Sequence, residues 1–464
     1  MKRLPALLSA LVLTSWGLAQ PANPAATGYG DRIYPALGDA ALDVQHYDLR
    51  LRLEAAGAGQ AGLSDTLSGQ ATLSIVARAP LQQLSLDFLG PKVSRVQVDG
   101  QPVRFQQGAE KLTVTLPGTR PAGRAFTVTV TYQGTPGLRI DQSDGGLRLG
   151  WITQGAGSYV LSEPDGARTF FPCNDVPADG ASYTVQLDVP AGYTALASGT
   201  PQGSRTAQGR TVTTFELPQP IPTYALGIHV NRLDVVTRPG PDGIVLRDAY
   251  PVGLPQNLRT PFASSGEMIG VLQGWLGRFP FATYGVALTE DPGIPALETA
   301  TLSTFPARQS SERVAVHELA HQWFGDTVRL ADWSDVWLNE GFATYAELLW
   351  TEQQGGNVPA LVQSWYSSVQ RAAPRPLVAT RPEQLFDASS YLRGALTLQA
   401  LRLAVGDDPF RRVLQTWVQR YGGQSAGTAD FLRLVQQVAG EPGAAAIRPW
   451  VEQAALPPLP VAPD

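Results

Sequence analysis

Three features of the sequence predict an α+β chain, with antiparallel sheets first and helices after. From about residue 40 to about 235, short runs alternate apolar and polar side chains. Near residue 255 the apolar spacing changes from two residues to three or four. Within that later, helical stretch a pair of histidines stands four apart, His317 and His321, in a chain that has only four. Alternation with period two marks strands with one buried face, and a period near 3.6 marks helices with one buried stripe.

The strands come first. Tyr47 to Leu53 reads apolar, polar, apolar in strict order, as do Phe126 to Tyr132, Tyr183 to Val189 and Thr211 to Leu217. Turn residues separate the runs: Asp99-Gly100, Pro117-Gly118, Gly145-Gly146 and Pro190-Ala191-Gly192. Many short alternating strands with this punctuation build a sandwich or saddle of antiparallel sheets.

The helices follow. Leu258 to Leu276 carries Ile269, Leu272 and Leu276 at helical spacing, and a short strand, 286–288, comes next. A helix is expected at about Glu312 to Phe324. Another begins near Trp337, with Ser334 as its N-cap, and stops at Gly355-Gly356. Further helices are expected at 391–405, 408–421, 428–438 and 444–455.

With 464 residues there is room for more than one domain, and 43% hydrophobic residues with a net charge of −5 is the balance of a soluble globular protein. That charge gives no reason to expect nucleic acid as a partner. Lys2, Lys92 and Lys111 are the only lysines, a bias that reads as a GC-rich genome rather than a binding role. Cys173 is the single cysteine, so no intrachain disulfide forms, and it reads as a small buried apolar residue.

The expected layout is a signal peptide over 1–19, a Pro/Ala-rich spacer over 20–39, a β-domain over 40–235, a catalytic domain over 236–455 and a disordered tail over 456–464. Lys2 and Arg3 precede an apolar run too short to span a membrane, and Gly17-Leu18-Ala19 is a small-x-small cleavage site. The expectation is export to the periplasm or the cell exterior, with no stable membrane insertion once the leader is removed.

The chemistry centres on His317-Glu318-x-x-His321. Residues four apart share a helix face, so both imidazoles point the same way and can grip one cation. Glu318 stands beside that cation rather than on it. Two His ligands with an adjacent Glu as general base is the pattern of a zinc hydrolase. A catalytic zinc needs a third protein ligand and an open position. Eighteen residues separate His321 from Glu340, enough to end one helix, cross a loop and start an antiparallel one whose Glu340 faces the metal. The expected cofactor is therefore one Zn2+ per chain, held by His317, His321 and Glu340. Glu347, seven residues on and on the same face, either orients a ligating His or sits at the surface or core edge.

These residues carry a resemblance. The run His317 to Asp326, the spacing to Glu340 and the phrase Trp337 to Tyr345 resemble the aminopeptidase N family of zinc metallopeptidases. Pro295-Ala296-Leu297-Glu298-Thr299 stands where that family has G-A-M-E-N. Ser162 to Arg168 with Phe171 to Asp175 resembles a segment at the end of its β-domain, and Tyr391-Leu392-Arg393-Gly394-Ala395 resembles its Y-x-K-G-A segment. The similarity runs from about Asp43 to Trp450.

The resemblance implies a β-saddle followed by a thermolysin-like, mainly helical catalytic domain, without the large helical C-terminal domain of longer members. It implies a peptidase acting on peptides with a free N-terminus. Tyr391 is then a hydrogen-bond donor to the oxyanion, and Glu298 and Glu163 hold the substrate's protonated amine. Three positions depart from the family pattern: Thr299 for Asn, Leu161 where Gln is frequent, and Arg393 for Lys. Ala296 and Leu297 are expected to line the pocket for the first substrate side chain. The competing readings are a thermolysin-like endopeptidase, which has no use for an amine anchor, and a non-catalytic zinc-binding scaffold, which has no use for Glu318.

Overall fold

The computed structural model of the protein describes residues 28–57, 62–141 and 145–460. The expected leader, most of the spacer and the last four residues of the tail lie outside these. The alternating runs are strands. They assemble an eight-stranded sheet in the order Thr200–Ala207, Arg210–Ile221, Ala181–Pro190, Leu42–Ala55, Leu63–Ala77, Ala125–Gly134, Lys92–Val98, Gln101–Pro102. Its pairs are antiparallel but for one: Leu42–Ala55 runs parallel to Ala181–Pro190, with Tyr47 opposite Tyr183. The alternation arises because one face is buried and the other wet: Leu49, Leu51, Val185 and Leu187 are fully buried while Arg50 and Arg52 are exposed.

A second sheet, ordered Thr194–Ala197, Ile228–Asn231, Gly157–Leu161, Leu147–Gln154, Arg139–Asp141, ends one of its central strands at Leu161, two residues before Glu163. The expected boundary at 235 falls inside a strand, Leu233–Pro239. That strand pairs with Val245–Pro251, which runs parallel to Val286–Thr289, itself parallel to Ser303–Pro306. Only the third of these four strands was expected. The interior pair is buried on both faces, so no alternation announces it.

Seven α-helices follow within the described residues: α1 Ser265–Leu276, α2 Glu312–Ala320, α3 Trp337–Gln353, α4 Val358–Arg371, α5 Gly394–Val405, α6 Asp407–Tyr421 and α7 Thr428–Glu452. α1 starts later than expected, because Pro261 sits in a preceding 3-10 turn, Thr260–Phe262. α2 ends four residues early, with His321 as its C-cap, and Ser311 caps its start by accepting from the Val314 amide. Ser334 is not the cap of α3. It lies in a 3-10 turn, Trp333–Asp335, that Asp332 caps by accepting from the Ser334 amide. α7 joins the two expected last helices across a break at Gly440, whose φ is 69°. α4 was not expected. One apolar interior runs from the large sheet through these helices. No helix among the described residues is long and apolar enough to cross a membrane.

Candidate metal centre

Two helices and two loops meet at the site. α2 brings His317 and Glu318, with His321 at its end. α3 brings Glu340 from its first turn and Glu347 two turns on. α3 is buried from Trp337 to Trp350 without a gap, so a carboxylate on it is already in the interior. Glu340 Oε2 lies 3.2 Å from His317 Nε2 and 3.5 Å from His321 Nε2. One donor atom from each of the three residues lies within 4.8 Å of the others, all three buried.

The outer ring nitrogens are also occupied. His317 Nδ1 donates to Glu347 Oε1 at 3.0 Å, and His321 Nδ1 donates to the Phe324 carbonyl at 3.0 Å. With both Nδ1 atoms donating outward, Nε2 is on each ring the nitrogen left to bind a metal once it gives up its proton. That is the tautomer a metal ligand needs. Two imidazoles and one carboxylate at this separation are three of the four donors a catalytic zinc takes, so zinc fits the set with one position open. Arg313, one turn before His317, places Nε 2.8 Å from the other oxygen of Glu347.

The electrostatics agree. Burial works against charge on His317, but the hydrogen bonds to Glu340 and Glu347 outweigh it and hold its pKa well above the ordinary histidine value. Burial works against charge on His321 too, and Glu298 and Glu340 lift it to about 9. Glu340 is pulled down to about 2, because His321 and His317 overcome the effect of its burial. Neutral imidazoles are needed for ligation, so this donor set trades protons for a cation.

A cavity of about 270 Å³ opens on these atoms, lined also by Glu163, Ala296, Glu298, Glu318 and Tyr391. Burial pushes Glu318 up to about 8, with Glu298 and Glu340 adding to it and the two histidines opposing. Tyr391 stands in a π-helical turn, Ser389–Arg393, with its ring stacked at 5.9 Å on His317. It comes this close because Gly341 and Gly394 let α3 and α5 touch: a Cβ at Gly341 would sit 2.7 Å from the Gly394 Cα. Burial holds the Tyr391 phenol well above its ordinary pKa, so it remains a donor. Arg393 points away from the cleft, donating to the carbonyls of Trp450 and Arg375.

Glu163 and Glu298 converge at one end. Each offers a carboxylate oxygen within 4.8 Å of the other and of Glu340. Glu163 Oε1 and Glu298 Oε1 are buried without a hydrogen-bond partner among the described residues. Burial raises both carboxyls: Glu163 rises well above the usual range, with Glu298 next in effect, and at Glu298 His321 opposes the rise.

The loop carrying Glu298 shows what the sequence did not. Gln322 on the turn after His321 donates to the Glu298 carbonyl at 3.1 Å and accepts from the Thr301 amide at 2.7 Å. It holds Thr301 at a φ of 62°, an unusual conformation for a β-branched residue. Thr299 is buried and bonds within the loop, to the Leu302 carbonyl and the Thr304 hydroxyl. Leu297 does not line the cavity. Its backbone bridges Thr304, and its side chain packs into an apolar cluster with Leu161, Leu149 and Ile152. Leu161 thus serves this cluster, and only Ala296 of the expected pair faces the cavity. Gln322 and Arg313 had a readable signal, since one adjoins His321 and the other stands four residues before His317 on its face.

Comparison with known proteins follows the same outline. A sequence model described as the peptidase M1 N-terminal domain matches residues 43–225, and one described as the peptidase family M1 domain matches 296–450. Aminopeptidase M1-B of Oryza sativa subsp. japonica is 25% identical over 456 residues, covering 89% of this chain and 50% of that protein. Glutamyl aminopeptidase of Homo sapiens is 27% identical over 326 residues, 64% of this chain and 34% of that protein. The chain spans about half the length of the first of these curated relatives. An M1 zinc metallopeptidase from Deinococcus radiodurans, solved as a mutant with a Tyr-Ser-Ala substrate, superposes with a TM-score of 0.89 at 46% identity, covering 94% of this chain and 99% of that one. A two-domain M1 zinc metallopeptidase mutant bound to L-tryptophan gives 0.89 at 45% identity over 94% of this chain and 100% of that one.

Proposed function

This chain belongs to the peptidase M1 family, and from that premise we propose that it is a zinc aminopeptidase that releases N-terminal residues from peptides. One observation carries the reading. The half-buried Glu163 and the buried Glu298 converge beside the His317-His321-Glu340 cluster, at one end of a single cavity, with a buried oxygen on each that takes no hydrogen bond. Carboxylates buried in this way call for a cation, and the protonated amine of a peptide supplies one. An ammonium held there fixes the first peptide bond over the metal ligands. A mid-chain peptide brings no charge to that end, so an endopeptidase reading leaves the two carboxylates unexplained.

His317, His321 and Glu340 would hold a zinc ion, which would supply Lewis acidity to the scissile carbonyl and to water. The chain's own groups do the rest. Glu318 accepts the proton of the attacking water and passes it to the leaving nitrogen. The Tyr391 hydroxyl donates to the oxygen on which negative charge develops. Glu347 fixes the His317 ring.

The test is hydrolysis of a series of aminoacyl chromogenic amides beside their N-acetylated counterparts. Free-amine substrates should be cleaved and blocked ones left intact. Equal rates on both would overturn the reading.

A further inference from the structure

α2 presents three side chains in line. Arg313, His317 and His321 stand at i, i+4 and i+8, on one face. At 1.5 Å per residue the backbone distance from the first to the third is about 12 Å. The two ends are chemically opposite. At the His321 end, Glu298 Oε1 lies 3.9 Å from His321 Nδ1 and pairs spatially with Glu163. At the other end Arg313 lines the cavity with its side chain 59% exposed. It is the one Arg or Lys among the cavity-lining residues, against the carboxyls of Glu163, Glu298, Glu318, Glu340 and Glu347. Its only ion pair among the described residues runs from Nε to Glu347, at 2.8 Å. A guanidinium has five donors in a rigid fork, so the two terminal nitrogens remain to receive a second carboxylate.

From this geometry we infer that Arg313 is a specificity-determining residue, an anchor for the C-terminal carboxylate of short peptides of two or three residues. The inference rests on the assignment of Glu298 and Glu163 to the substrate amine and adds the opposite pole. An extended peptide advances about 3.3–3.6 Å per residue, so three residues cover roughly 10 Å. The flexible Arg313 side chain closes the remainder. A peptide of six residues carries its carboxylate well past Arg313 and places a neutral backbone there instead. A free carboxylate in this acidic cleft is repelled unless a cation meets it, which makes the discrimination one of charge. A role for Arg313 confined to steadying Glu347 would act on all substrates alike.

The experiment compares trialanine with trialanine amide, and hexa-alanine with its amide, on the zinc-loaded full chain, its Arg313→Ala variant and its Arg313→Lys variant. The readout is the acid-to-amide ratio of kcat/KM within each protein, so any general loss of activity cancels. The natural chain should favour the trialanine acid by roughly tenfold or more, the worth of a charge-assisted contact. Arg313→Ala should bring that ratio near one or below, Arg313→Lys should retain some of it, and the hexapeptide pair should show no preference in any of the three. A ratio near one in the natural chain, or one unchanged in Arg313→Ala, overturns the inference while leaving the amine anchor intact. N-acetyl-trialanine cleaved as fast as trialanine removes the amine anchor, and this inference with it.

Discussion

The two ends of the cleft are built to opposite rules. At the metal end every imidazole nitrogen has a partner: Glu340 before both Nε2 atoms, Glu347 and the Phe324 carbonyl behind. At the carboxylate end Glu163 and Glu298 each keep an oxygen that takes no hydrogen bond among the described residues. The metal end is a set of donors already held in the orientation they need. The carboxylate end is destabilised in isolation and is relieved when a cation arrives. The difference teaches which ligand is resident and which is transient. Pre-formed outer contacts raise ligand basicity and hold an ion for the life of the protein. Buried carboxyls that lack a hydrogen bond are tolerated where a substrate comes and goes.

The strongest way to sharpen that contrast is Glu318→Gln, which removes neither a metal ligand nor an amine-binding carboxylate. It should lower kcat by about 10²–10⁴, the usual scale of a general base, while metal content measured on the purified protein stays at one equivalent. Activity within threefold of the natural chain would remove Glu318 from the reaction. Next in size comes Glu298→Gln. Losing a charge-assisted contact to the ammonium should reduce kcat/KM on free-amine substrates by roughly 10–100-fold and leave zinc affinity alone. A parallel loss of zinc would mean the two ends are not separate. Glu347→Gln is the converse. It should weaken zinc binding by about 10–100-fold in a competition with a chelator, and at saturating zinc it should leave the preference for a free amine over an acetylated one intact.

The two ends also differ in how far they could be read before the fold was known. Both metal-end histidines, Glu318 and Glu340 are legible because helix periodicity alone aims i and i+4 the same way and the loop to Glu340 has a length that returns the chain. The carboxylate end joins a residue after a β-strand to one on a loop more than a hundred positions later, and no local period links Glu163 to Glu298. Only the resemblance brought them together. The strands of the large sheet were legible for the same reason as α2: one buried face imposes a period. α4 buries only Val362, Trp365 and Val369, although Asn357 as its cap and Pro359 in its first turn were visible signs. Ser334 looked like the cap of α3 because caps favour Ser, but the tighter turn capped by Asp332 took that place. Leu297 looked like a pocket residue because its neighbours are, yet a single backbone bridge to Thr304 turns it inward.

The smallest expected effect tests the seam beneath the carboxylate end. His229 is buried where the second sheet meets the Ser303–Pro306 strand. Its Nε2 hydrogen-bonds the Thr304 hydroxyl at 2.8 Å, and its ring stacks on Tyr159, whose hydroxyl donates to Asp291. Burial pushes its pKa down to about 3. The unfolded chain, with a histidine near 6.5, binds the extra proton first. Stability from a neutral His229 is therefore complete above about pH 6.5 and drains away as pH falls toward 3, by at most about 1.4 kcal/mol per pH unit. Other buried groups run the opposite way: Asp175 and Asp179 are raised to about 7 and about 6, chiefly by burial, so their contribution is present at low pH and is lost as pH climbs through those values. The informative quantity is thus the difference between the natural chain and His229→Gln, an uncharged variant that keeps a hydrogen-bonding group, in denaturant titrations from pH 7.5 to 4.5. That difference should shift in favour of the variant as pH drops below 6.5 and stay flat above it. A difference independent of pH would show that the proton enters elsewhere and that acid loosens the carboxylate end by another route.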